Sequence, residues 1–200
     1  NKLIVGHLGY LMGNDNADPD YVEWLTVIGD TISYDINGDD THRSTFDFGE
    51  SGTGPMFFRD LTLLDSASYS DVVWYGGATG DLTIQVTATI TIEDDGSNPV
   101  SGATVQVWNA YGDTSVVGEA ILNTTTDVNG EVTGIFSIEY QVETAGDSLL
   151  ASFDPWVITA LKDADYIEQS WSIDWDNKDT TLTLGEAGEV VDEIYLPVLR

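Results

Sequence analysis

Leu82-Thr83-Ile84-Gln85-Val86-Thr87-Ala88-Thr89-Ile90-Thr91-Ile92 alternates apolar and polar side chains without a break for eleven residues. A period of two puts Leu82, Ile84, Val86, Ala88, Ile90 and Ile92 on one face and the threonines with Gln85 on the other. β-branched side chains suit such a pleated, half-buried surface. The run is about twice the usual strand length, so a bend or a switch between sheets is expected within it. Shorter runs of the same kind lie upstream at 22–28, 31–36, 44–48, 56–64 and 71–75. Others follow at 103–108, 116–123, 130–141, 155–162, 167–175, 180–184 and 193–198. Turn-forming clusters separate them roughly every eight to twelve residues, and no window sustains a helical period. The chain reads as all-β.

Gly76-Gly77-Ala78-Thr79-Gly80 is the best boundary in the chain. It divides the sequence into an extended N-terminal strand at 1–12, a small β domain at 13–80 and a larger β-sandwich at 81–200. The stretch Phe57–Leu64 only faintly resembles a parallel β-helix rung, and the first eighty residues would supply about three rungs, few for a solenoid. A second small β-sandwich or jelly-roll-like domain is therefore expected there.

Three motifs in the second half carry a resemblance. Asn98-Pro99-Val100-Ser101-Gly102-Ala103-Thr104-Val105 is similar to the opening of carboxypeptidase-regulatory-like and related bacterial Ig-like domains. Thr126-Asp127-Val128-Asn129-Gly130 resembles their hairpin, and Val157–Tyr166 their strand and turn, with Asp165 where the family has glycine. The resemblance covers about 82–184. It implies an Ig-like sandwich used as a spacer, stalk or adhesion unit without catalysis. The residues agree with it physically: Pro99 fixes φ, Gly102 permits a tight strand entry, and Asn129-Gly130 suits a primed hairpin turn.

The charge is one-sided, with 35 acidic residues against 6 basic ones and a formal net charge of −29. That field repels nucleic acid and anionic lipid, which rules against both as partners. Salt, divalent cations or basic neighbours would offset the self-repulsion. Without cysteine there is neither a disulfide nor a thiolate nucleophile. No apolar run has the length of a membrane-spanning helix, so no membrane insertion is expected. The start at Asn1 reads as a processed or truncated product, with an extracellular or cell-surface location.

Candidate sites are few. Asp35, Asn37, Asp39 and Asp40 place oxygen ligands in a calcium-like loop, although Phe46 stands where an EF-hand has its bidentate Glu. Asp15, Asn16, Asp18 and Asp20 form a second acidic cluster and Asp163 with Asp165 a weaker third, and solvated turns explain all of them better than calcium does. Calcium is thus the one cofactor considered. His7 and His42 sit in no hydrolase or zinc motif, and no nucleophile elbow or phosphate loop occurs. No enzyme is expected. Asn123-Thr124-Thr125 is a glycosylation sequon.

Leu3, Ile4, Val5, Leu8, Tyr10 and Leu11 put apolar groups on both faces of an extended segment, which therefore needs cover on both sides. Two readings stand. The segment is donated to another copy, building an open helical homopolymer in a filament, pilus-like fibre or surface layer. Alternatively it is a first strand within its own domain. Other readings of the whole chain are a carbohydrate-binding or adhesion module, with Trp156, Trp171 and Trp175 stacking on glycans, and a virion fibre or decoration protein.

Overall fold

Strand follows strand three to a turn in the first half of the chain. The computed structural model describes residues 2–5, 8–12, 26–34, 44–48, 55–74, 80–109, 120–144, 147–152, 155–174 and 177–185. The first coil contains β1 (Lys2–Val5), β2 (Leu8–Met12) and β3 (Thr26–Ile28). The second contains β4 (Thr31–Tyr34), β5 (Ser44–Phe48) and β6 (Pro55–Arg59), and the third β7 (Thr62–Leu64), β8 (Val72–Trp74) and β9 (Gly80–Asp94). Each strand pairs in parallel with its counterpart one coil on, giving the sheets β1-β4-β7, β2-β5-β8 and β3-β6-β9. This is a three-coil parallel β-helix with roughly thirty residues per coil. A small sandwich or jelly roll would pair its strands antiparallel, so the expectation for 13–80 is corrected in its topology while the all-β class stands.

The corners explain how the ladder stays continuous. Gly29 follows β3 with φ 69°, and Asp60, one coil later, follows β6 with φ 53°. Both turn the chain through the left-handed region, which glycine and the short polar Asp tolerate. Gly29 N–H donates to Arg59 O at 2.9 Å, Asp60 N–H to Gln85 O at 3.0 Å and Thr62 N–H to Asp30 O at 2.9 Å, so the coils remain bonded around the bend.

Inside, side chains stack in register. Ile32, Phe46, Met56 and Phe58 of the middle coil are completely buried, as are Leu82 and Ile84 on β9. Phe46 meets Phe58 edge-on at 4.7 Å and lies against Tyr69 at 6.3 Å, and the Tyr69 hydroxyl donates to Leu61 O at 3.1 Å. Buried polar groups are tied in. Thr45 N–H donates to the Asp71 carboxylate at 3.0 Å, Ser68 N–H to Thr45 Oγ1 at 3.0 Å, and Ser33 Oγ to Asp65 Oδ2. The sheet β3-β6-β9 continues into β12 (Glu131–Thr144) and β13 (Asp147–Ser152).

The chain forms two compact units, Asn1–Val86 with Ser137–Ser152, and Thr87–Phe136 with Phe153–Arg200. The long strand expected to bend or switch is β9, which is unbroken and gives 80–86 to the first unit and 87–94 to the second. In the second unit, β10 (Thr104–Asn109), β11 (Leu122–Thr125), β14 (Trp156–Lys162) and β15 (Asp165–Trp171) form an antiparallel sheet in the order β11-β10-β14-β15. Opposite it lie 87–94 of β9, 131–136 of β12 and β16 (Thr180–Leu184), which pairs in parallel with β9. Ala88, Ile90, Ile92, Val105, Val107, Ile158, Ala160 and Leu182 fill the space between the sheets. Phe136 on β12 meets Trp156 of β14 at 5.4 Å and Trp171 of β15 at 5.1 Å, edge to face. Such pairs add roughly 0.5–1.5 kcal/mol each beyond their buried area.

Candidate functional site

At the ends of the coil stack, described apolar side chains stay partly exposed. Ile32 and Phe46 are wholly buried in the middle coil, yet their in-register neighbours on the last coil, Leu63 and Val72, are only half-buried. Val27 on the first coil is half-buried too, while Phe58, beside it one coil later, is completely buried. The difference is positional, since each stack is apolar throughout. In the sheet orders β1, β2 and β3 each stand at one edge, and β7 and β8 at the opposite edges of their sheets. Among the described residues, β9 alone of the last coil is continued, by β12 and β13. Edge strands carry unpaired backbone donors and acceptors, ready to take another strand.

In the second unit the stretches 98–105 and 126–130 converge on one structural node. Thr126 Oγ1 donates to Val100 O at 2.6 Å and accepts from Ala103 N–H at 2.9 Å, while Thr126 N–H donates to Ala103 O at 2.9 Å. The turn after it joins β11 to β12 of the other sheet, so it is not a hairpin. It is a type I turn closed by a left-handed glycine rather than the primed turn expected at Asn129-Gly130. Gly130, at φ 75°, alone takes the positive angle there, and its N–H reaches Asp127 O at 3.1 Å. The Asp127 carboxylate accepts from Asn129 N–H at 2.8 Å and Glu131 N–H at 2.9 Å, which stabilises that alternative. A Cβ at Gly130 would stand 2.5 Å from Ile92 O, so no other residue fits. At the preceding turn Asp94 accepts from Gly96 N–H, Asn98 N–H and the Asn98 amide, and its carboxyl is held below the usual range, chiefly by the Asn98 backbone bond.

The expected site residues fare differently. Leu3, Ile4 and Val5 lie on β1, whose ladder partner is β4, and Leu8, Tyr10 and Leu11 on β2, whose partner is β5. Strands β1 and β2 thus pair within their own chain, as the second of the two readings has it. Trp156 and Trp171 are 1% and 5% exposed and cannot stack on a glycan. Asp35, Asn37, Asp39 and Asp40 lie outside the described residues, as do Asp15, Asn16, Asp18, Asp20, His7, His42 and Trp175. Asp163 occupies the tight turn between β14 and β15 with φ 55°, followed by Asp165 at the start of β15. No group of three metal-ligating side chains occurs among the described residues. Asn123 is exposed on β11, an edge strand of its sheet. Among the described residues no helix is long and apolar enough to cross a membrane.

Two features escaped the sequence reading. The coil ends could have been found only by seeing that Gly29 and Asp60 occupy equivalent corners. The second is the outer face of the β11-β10-β14-β15 sheet, where Trp108 is half-buried and Tyr166 is 51% exposed. Strand parity signals it: Ala103, Val105 and Val107 point inward, which turns Trp108 outward. Tyr166 donates its hydroxyl to Glu168 at 2.8 Å, and burial, with Glu168 second, pushes its pKa up to about 12.

No protein-family model matches the chain, and no curated protein matches it. Two solved structures resemble it over half its length, BcpA, the major pilin subunit of Bacillus cereus, and a single-site variant of that pilin. They are 20% and 22% identical, with TM-scores of 0.26 and 0.25, and the match spans 29% of each pilin chain.

Proposed function

We propose that this chain is a non-enzymatic structural element of an extracellular assembly, such as a pilus-like fibre or surface layer, in which copies add to one another at the open coils. The half-burial of Leu63, Val72 and Val27 beside fully buried neighbours carries the reading. A coil cannot cover both of its faces alone, so each terminal coil gains by taking another. The parallel ladder suits a head-to-tail contact, in which β7 and β8 of one copy meet β1 and β2 of the next, and a head-to-tail contact propagates. Pairing of the open edge strands on these two sheets takes the place of donation of a free strand.

The net charge of −29 opposes association, so assembly strengthens with ionic strength. Negative-stain microscopy of the purified chain across a salt series tests this. Filaments or ordered arrays emerging as salt rises are the expected result. A monomer by light scattering at every salt and divalent-cation concentration, up to millimolar protein, would overturn it.

A further inference from the structure

We infer that the outer face of the β11-β10-β14-β15 sheet is a binding platform for an uncharged polysaccharide. The ladder registers set the layout. Trp108 on β10 and Tyr166 on β15 lie near opposite corners, and between them Asn123, Gln106, Thr159 and Glu168 form one row across the four strands. With strands about 4.8 Å apart and a rise of about 3.4 Å per residue, the two aromatic positions are separated by roughly 17 Å. The row offers the amides of Asn123 and Gln106 and the carboxylate of Glu168, while Thr159 between them is buried. Tyr166 is held by its hydrogen bond to Glu168, so its ring is fixed before any ligand arrives.

Three observations select the occupant. First, the row and both aromatic corners contain no basic side chain in a chain of net charge −29, which excludes acidic glycans, nucleic acid and anionic surfaces. Second, between its outermost positions the face measures only about 14 Å by 14 Å, on the order of 200–400 Å². That is well below the roughly 800 Å² per partner of a stable protein interface. Third, aromatic rings flanking a row of hydrogen-bonding groups match a ligand with apolar C–H faces and many hydroxyls. The buried Trp156 and Trp171 take no part.

The test uses the full chain with soluble neutral polysaccharides (a β-glucan, a xylan and a mannan), and polygalacturonate as the anionic control. Affinity electrophoresis should show retardation by at least one neutral polymer and none by polygalacturonate. Trp108→Ala with Tyr166→Ala should weaken it about tenfold or more, with the circular dichroism spectrum unchanged. Gln106→Ala with Asn123→Ala, which leaves both rings in place, should weaken it as well and covers the case in which the aromatic variant misfolds. Retardation by none of the neutral polymers, or retardation untouched by either folded variant, overturns the assignment. So does a double variant that alters only self-association. Because the assembly reading depends on the coil ends of the other unit, loss of one result leaves the other standing.

Discussion

Replacing Thr126 by Val exchanges a hydroxyl for a methyl at almost constant volume, at a site only 5% exposed. The hydroxyl makes two bonds, to Val100 O at 2.6 Å and from Ala103 N–H at 2.9 Å. Losing them costs about 1 kcal/mol each, and the stranded Ala103 N–H, beside a completely buried side chain, adds a further ~1–2 kcal/mol. The total is about 3–4 kcal/mol, which at a slope of about 2 kcal/mol/M is a fall of roughly 1.5–2 M in the urea midpoint of the second unit. Thr126→Ser keeps both bonds and sheds one methyl, so it should lose only about 1 kcal/mol. Urea titration followed by tryptophan fluorescence compares the three proteins. A Val variant within about 0.5 kcal/mol of the parent, or no better tolerance of Ser than of Val, would refute the node.

Two further expectations follow from burial and charge. Phe58→Ala empties the fully buried middle coil and should cost about 3–5 kcal/mol, whereas Leu63→Ala on the half-buried last coil should cost about 1–2 kcal/mol in the isolated chain; equal losses by calorimetry would contradict the positional gradient. The depressed pKa of Asp94 means that its carboxylate stabilises the fold above its unfolded-state value, near pH 4, and that this contribution fades as pH falls through the lower folded value. Asp94→Asn should therefore flatten the acid limb of a pH-stability curve, and an unchanged limb would count against the carboxylate's role.

The sandwich was legible where parity was uninterrupted. Leu82 to Ile92 gave both the strand and its buried face, and Thr126, Gly130 and Gly102 marked turns that the structure uses. The coil stack was not legible, for local reasons. Its strands are mostly three to five residues long, and alternation within so short a run does not distinguish a parallel partner from an antiparallel one. The same corner is made by glycine at 29 and aspartate at 60, so the repeat of backbone conformation leaves no repeat of residues. The N-terminal strands β1 and β2 pair with β4 and β5, partners that only long-range pairing reveals. The tryptophans teach a similar lesson, because residue type gave no side whereas parity with Ile158 buries Trp156 and parity with Gln106 turns the half-buried Trp108 to the outer face.

Amide hydrogen exchange at low and high protein concentration, in assembling salt, reads the proposed contact strand by strand. Addition of copies through the terminal coils predicts that exchange slows with concentration in β1, β2, β7 and β8, while β4, β5 and β6 keep constant rates. Rates in the four edge strands that stay the same as concentration rises, with slowing found elsewhere or nowhere, would contradict it.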